Sequence, residues 1–431
     1  MSTSEATPSS SPSEAASDFS LDSEQPTFAQ AIHNYRSKLR AGDLGALPAL
    51  LAIIVLTALF GFSRPDTFLS VTNFANLLQQ AAPVMVIAMA VSFVLLLGEF
   101  DLSAGYTAGV TAAVLALRLQ NDWSLGATIV ICAIVALALG TFTGVLVAKV
   151  GIPSFVVTLA NFLSFQGILL LLAKEGGTIH IDNKTINAIE NENMSLAVSW
   201  GFAALATALF AFTVIRKQRA SNGTIPLQLA VVKIVALGAG AAIFTGVLSG
   251  NRALPAAKIK LIGVPYAVPL VIILVLVLTF LLTRTRYGRH LYAVGGNAEA
   301  ARRAGINVGL IRASAFAFCG LLAGIGGAFL ASRLSSVDPQ TGGNDTLLLA
   351  VGAAVIGGTS LFGGKGRMLN ALLGGLVLAL IPNGLGLLGR ATPFGIKTFD
   401  FSSSGMKFIV SGLILLLAAS VDAISRKRTV T

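Results

Sequence analysis

A glycine-rich run ending in a lysine is the first place in this sequence where phosphate chemistry could reside: "IGGTSLFGGKGR", residues 356–367. A phosphate-cradling loop of the pattern G-x-x-x-x-G-K-[ST] needs inward backbone N–H groups, a lysine on the phosphates and a hydroxyl on magnesium. With Lys365 as the lysine, the first glycine falls on Thr359 and the hydroxyl position on Gly366. The pattern is absent. His33, His180 and His290 have no metal-ligand spacing, and Cys132 and Cys319 sit in apolar runs as small hydrophobes. With no nucleotide loop, catalytic dyad or metal cluster, the chain is not expected to be an enzyme or to bind a cofactor itself.

Charged groups inside apolar runs would point instead to ion-coupled transport, because an ionisable side chain in hydrocarbon is costly and is retained for function. Glu99 and Asp101 stand at the end of such a run in "GEFDLSAG", where Asp101, or Ser103, caps the next helix. Lys233 lies about two turns from a run's end, within reach of water by snorkelling. In "TLANFLSFQG", Asn161, Ser164 and Gln166 are neutral polar groups, the first two spaced to share a helix face. They suit either a wet path for a hydroxyl-rich solute or hydrogen bonds between helices. Both readings stand. "SRLSSVDPQTGGNDT", residues 332–346, is a loop by its Pro and paired Gly, either a plain connector or a surface for an external partner.

"GGNAEAARRAGINV", residues 295–308, breaks the apolar pattern most sharply. Asn297 can cap a short helix, Glu299 lies at the positive end of its dipole, Ala298, Ala300, Ala301 and Ala304 favour helix, and Gly305 stops it. A helix of about seven or eight residues is marginal alone and needs packing. Its small face would accept a close partner, and Arg302 and Arg303 could meet acids or anionic headgroups. It is either a docking element or a turn on the membrane surface.

The elements that position these groups follow from composition. Of 431 residues, 55% are hydrophobic and 11% charged, a balance for a chain solvated mostly by lipid. Apolar runs long enough to cross a bilayer as helix occur at 44–62, 82–98, 103–117, 124–148, 153–173, 196–215, 226–248, 264–282, 313–331, 347–362, 371–388 and 405–420. The third and tenth are short and bracketed by glycine. An all-α, polytopic bundle of about twelve transmembrane helices is expected. With both termini cytoplasmic, eighteen of the thirty Lys and Arg fall inside, as positive residues in short loops should. The +11 net charge then follows topology and the anionic inner leaflet rather than nucleic acid. Residues 1–40 read as a disordered cytoplasmic tail and approach segment, 41–425 as the membrane domain and 426–431 as a basic cytoplasmic end.

Taken together, "YAVGGNAEAARRAGINV", "RLSSVDPQTG", "IGGTSLFGGKGR" and the upstream "GEFDLSAG" resemble, in order and spacing over roughly 72–422, the permease subunits of ribose- and xylose-type monosaccharide ABC importers. The resemblance implies a bacterial inner-membrane permease that pairs with a second copy of itself and receives a sugar from an extracytoplasmic binding protein. Two cytoplasmic ATPase subunits, using ATP and Mg2+, would drive it. In such a protein 297–305 corresponds to the coupling helix seated in the ATPase, through Asn297, Glu299, Ala300, Ala301, Arg302, Arg303 and Gly305.

Two departures qualify the cargo. Where ribose-type members carry acids in a pattern like Y-E-L-D-A-I-A, this chain has "TLLLAVG", with Leu347 and Leu349 at the acidic positions. The segment 196–248 adds a pair of spans to a ten-span core, as in the longer xylose-permease form, so xylose or another pentose is favoured. An ion-coupled secondary carrier is the competing class, and a non-transporting receptor for the binding protein a further one.

Overall fold

The computed structural model describes residues 45–174, 176–220, 227–253, 260–389 and 400–430. The expected tail at 1–40 lies outside them. In chain order the helices are α1 (Leu47–Ser63), α2 (Pro65–Phe68), α3 (Val71–Leu95), α4 (Ala104–Gln120), α5 (Leu125–Val145), α6 (Ser154–Leu172), α7 (Lys184–Asn191), α8 (Leu196–Ala220), α9 (Leu227–Leu248), α10 (Ala267–Arg284), α11 (Arg286–Gly296), α12 (Ala298–Arg303), α13 (Val308–Leu334), α14 (Asn344–Ile356), α15 (Met368–Leu388) and α16 (Ser404–Val430). Two-residue strands β1 (Ile179–His180) and β2 (Ser336–Val337) pair antiparallel. Apart from this clasp the described fold is helical, as expected.

Among the described residues, eight helices are long and apolar enough to cross a membrane: α3, α5 with its π-helical extension Leu146–Val150, α6, α8, α9, α10, α13 and α15. The shorter α1, α4 and α14, and α16, whose apolar part is short, occupy the other four expected positions. The third and tenth are short for a physical reason. At 1.5 Å per residue, the 17 residues of α4 and the 13 of α14 reach about 25 and 20 Å, less than a hydrocarbon core of about 30 Å. Both stop inside the bundle, where the loop before α14 folds down against α4. A Cβ at Gly105 would overlap the Gly342 carbonyl, and one at Gly109 the Thr341 carbonyl.

The second span corrects the sequence expectation. It begins at Val71 rather than at 82, because Ser70 caps it by accepting from Asn73 N at 3.2 Å and Pro83 is carried within the helix. Asn73, Asn76, Gln79 and Gln80 had disguised its outer third. Asn73 also exchanges amide hydrogen bonds with Asn383 of α15 at 3.1 and 2.9 Å, a buried reciprocal pair.

Burial grades the helices. In α3, which packs on α13, α14 and α15, 78% of the apolar stretch is buried, against 11% in α8 and in α9. α3 is thus the axis of the core, and the α8–α9 hairpin stands at its rim. Leu347 is buried and Leu349 packs on the same core, which explains apolar residues at these two positions of α14.

Candidate functional site

Three consecutive caps build the surface around 295–308. Thr285 Oγ1 accepts from Gly288 N at 3.2 Å to start α11, Asn297 Oδ1 from Ala300 N at 2.9 Å to start α12, and Asn307 Oδ1 from Leu310 N at 3.0 Å to start α13. Gly305, at φ +83°, reverses the chain after α12, with Gly305 N donating to the Arg302 carbonyl and Ile306 N to that of Ala301. The cap, the acidic first turn and the glycine stop are where the sequence puts them. At six residues α12 is a little shorter than expected, and α11, an 11-residue helix just before it, was not foreseen.

Of the small residues that the sequence offered to a partner, Ala301 turns inward while Ala300 and Ala304 stay exposed. Ala301 is 4% exposed and belongs to the core that also holds Leu291, Val294, Val308 and Ile311. It supplies the packing so short a helix needs. The outward surface is Asn297, Glu299, Ala300, Arg302, Arg303 and Gly305. Glu299 holds Arg302 at 3.0 Å and Arg303 at 3.3 Å, with side chains more than half exposed. Such pairs are each worth about 0.2–0.5 kcal/mol and are readily exchanged for another partner.

Behind this surface lies a backbone junction. Gly295 is pressed so closely on the Leu96 carbonyl that any Cβ there would overlap it. Gly364 N donates to that same carbonyl at 2.8 Å, and Tyr292 Oη donates to the Gly366 carbonyl at 2.7 Å. α11 is therefore wedged between the loop leading from α3 into α4 and the loop leading from α14 into α15. Glu99 of the first loop approaches Arg312 of α13 as an ion pair at 3.4 Å, without hydrogen-bond alignment. Asp101 accepts from Ser103 N and Oγ at 2.9 and 2.6 Å and closes the turn before α4. "IGGTSLFGGKGR", which is no phosphate loop, supplies backbone for the junction.

The three candidate path residues part company. Asn161 is buried and its Nδ2 donates to Thr143 Oγ1 on α5 at 2.8 Å, a bond between helices. Ser164 is exposed and donates to its own helix at the Ala160 carbonyl, 2.9 Å away, beside a shallow groove with Gly167 and Leu171. The expected common face fails because residues three apart diverge by about 60° around a helix, and the edge of burial falls between them. Gln166 instead stands beside the hydroxyl of Tyr106, whose ring meets Phe162 edge-on at 4.7 Å. Tyr106 was missed from sequence. Its signal was a phenol inside an apolar run, since a buried tyrosine hydroxyl requires a partner.

On the opposite side, α7 is latched to the ends of α13 and α3. Glu190 N donates to Ser332 Oγ at 2.9 Å, Asn191 Nδ2 to the Ser332 carbonyl at 2.6 Å, and Gln79 Nε2 to the Glu190 carbonyl. Neither carboxylate oxygen of Glu190 has a hydrogen-bond partner. Burial pushes this acid up to about 9, only partly opposed by nearby Arg333.

Long apolar helices around a buried axis, two half-helices meeting inside the bundle and a capped helical surface at one end define a multi-pass membrane permease. The comparison with known proteins is more specific. A family profile described as "Branched-chain amino acid transport system / permease component" matches residues 73–419. The xylose transport system permease protein XylH of Escherichia coli K12 is 34% identical over 406 residues, 91% of this chain and 95% of its own length. XylH of Haemophilus influenzae is 33% identical over 91% of this chain and 99% of its own. The ribose import permease protein RbsC of Escherichia coli K12 is 31% identical over 87% and 92%. No solved structure matches significantly. The chain belongs to this permease family, among the ribose/xylose-type ABC permeases of the inner membrane.

Proposed function

We propose that the chain is the membrane-spanning subunit of an ATP-driven importer whose cargo is a monosaccharide, a pentose such as xylose. One observation favours the cargo: the XylH proteins, at 34% and 33% identity over 91% of this chain, match at higher identity and over more of it than the ribose permease RbsC, at 31% over 87%. Two copies of the chain form the path, and an extracytoplasmic binding protein delivers the sugar. Partner ATPase subunits, which hold ATP and Mg2+, dock on Asn297, Glu299, Ala300, Arg302, Arg303 and Gly305.

The junction at Gly295 suggests how their motion is felt. When the ATPases close on nucleotide, α11 and α12 move together, since one core packs both. Gly295 and Tyr292 bear on the loop that enters α4 and the loop that leaves α14, and α4 meets the loop entering α14 at Gly105 and Gly342. A shift there repositions Tyr106 and Gln166 and switches the sugar's access from one side to the other.

Reconstituting the permease with its ATPase and binding protein in liposomes tests this. ATP-dependent xylose uptake that requires all three is the expected result. Uptake by the permease alone on a proton or sodium gradient would make it an ion-coupled carrier instead.

A further inference from the structure

The α8–α9 hairpin is fastened to the bundle at one end only. Met194 N donates to the Val264 carbonyl at 2.9 Å and Val264 N to Ser199 Oγ at 3.1 Å, while Phe74 and Phe244 meet edge-on at 5.8 Å. All of these lie where α8 begins and α9 ends. Toward the other end a crevice of about 660 Å³ separates the hairpin from α10. It is almost wholly apolar, running from Ser199 to Thr213 on α8, from Thr245 to Ala236 on α9 and from Val264 to Leu276 along α10.

The crevice faces continue into cations. Arg216 and Lys217 stand three and four residues beyond Thr213, and Lys233 three and four before Ala236 and Leu237, so each extends a lining stripe at helical spacing. Their levels differ by about 6 Å, within the reach of a lysine side chain. Gly238 abuts Thr207 across the hairpin, which puts Lys233 about 7 Å and Arg216 about 13 Å toward the open end, with the long lysine free to snorkel down. All three are exposed, and among the described residues none has an ion pair. The sequence offers no local neutraliser either: no Asp or Glu occurs between Glu192 and Glu299.

We propose that this crevice is a binding site for an anionic phospholipid of the inner leaflet. One acyl chain fills the apolar cleft between the hairpin and α10, and the phosphate is held by Arg216, Lys217 and Lys233. Charge and depth select this occupant. An intramembrane lysine without an acid is expensive unless an anion reaches it, and the mouth lies on the side that the positive residues assign to the anionic leaflet. The bound lipid wedges a hairpin that has little packing of its own against α10.

Native mass spectrometry of the full-length permease, titrated in detergent with phosphatidylglycerol or with phosphatidylethanolamine of the same chains, tests the site. The wild type should retain phosphatidylglycerol preferentially. Lys233→Met combined with Arg216→Ala and Lys217→Ala should erase that preference, by about fivefold per cation removed. Arg219→Ala, about 120° around α8 from Thr213, should leave it. Gly240→Leu should lower binding of both lipids without disturbing the fold, because a Cβ at Gly240 meets nothing within 4 Å. Equal retention of the two lipids by the wild type, or a preference that survives the triple substitution, overturns the proposal. So does efficient cross-linking of Gly240→Cys to a second copy, which would assign the crevice to a protein contact. None of these readouts depends on transport.

Discussion

The hydroxyl of Tyr292 donates to the carbonyl of Gly366 at 2.7 Å, tying α11, the helix before α12, to the loop that follows α14, 74 residues away. Removing that hydroxyl with Tyr292→Phe leaves the ring in place and forfeits about 0.5–1.5 kcal/mol of hydrogen bonding. Insertion and ATPase co-purification should persist while ATP-dependent uptake falls. Unchanged uptake at normal expression would show that this tie does not transmit motion.

Gly295 should tolerate no side chain. Gly295→Val forces a Cβ into the Leu96 carbonyl, so the junction must spread, at a cost of about 1–3 kcal/mol typical of overpacking. Loss of uptake should accompany a lowered melting temperature, measurable by fluorescence-detected chromatography of heated samples.

The two faces of α12 should respond differently. Arg302→Ala with Arg303→Ala, or Glu299→Gln, removes only exposed pairs, so stability should change by less than about 1 kcal/mol while the ATPase no longer co-purifies. Ala301→Leu places bulk inside the permease's own core and should lower its stability even without a partner present. Retention of the ATPase by both exposed-face variants would remove α12 from the docking surface.

Glu190 should make stability depend on pH. Its carboxyl holds a proton up to about 9 in the folded protein, against 4.5 as its ordinary value. Between these values unfolding releases a proton, so stability falls as pH rises; below about 4.5 both states are protonated and the dependence ends. Glu190→Gln should therefore raise the apparent melting temperature at pH 8 by about 2 °C or more and leave it unchanged at pH 4.

Along the proposed path, Tyr106→Phe should reduce uptake with little loss of stability, because Gln166 is only half-buried and can pair with water instead. Asn161→Leu, which leaves Thr143 without its partner, should act mainly on stability, by about 1 kcal/mol. Uptake assays beside thermal melts separate the two effects.

Local rules fixed much of this protein before any folding was considered. Lengths of apolar sequence set the bundle and its two short members, and Asn297 and Gly305 set the ends of α12 because caps and left-handed glycines act within a few residues. Contacts between distant segments could not be read that way. That Ala301 faces inward, that Asn161 answers Thr143 while Gln166 stands beside Tyr106, and that Gly295 meets Leu96 and Gly364 depend on how helices far apart in sequence cross. Period 3.6 gives each helix its faces, but only the packed bundle decides what each face meets.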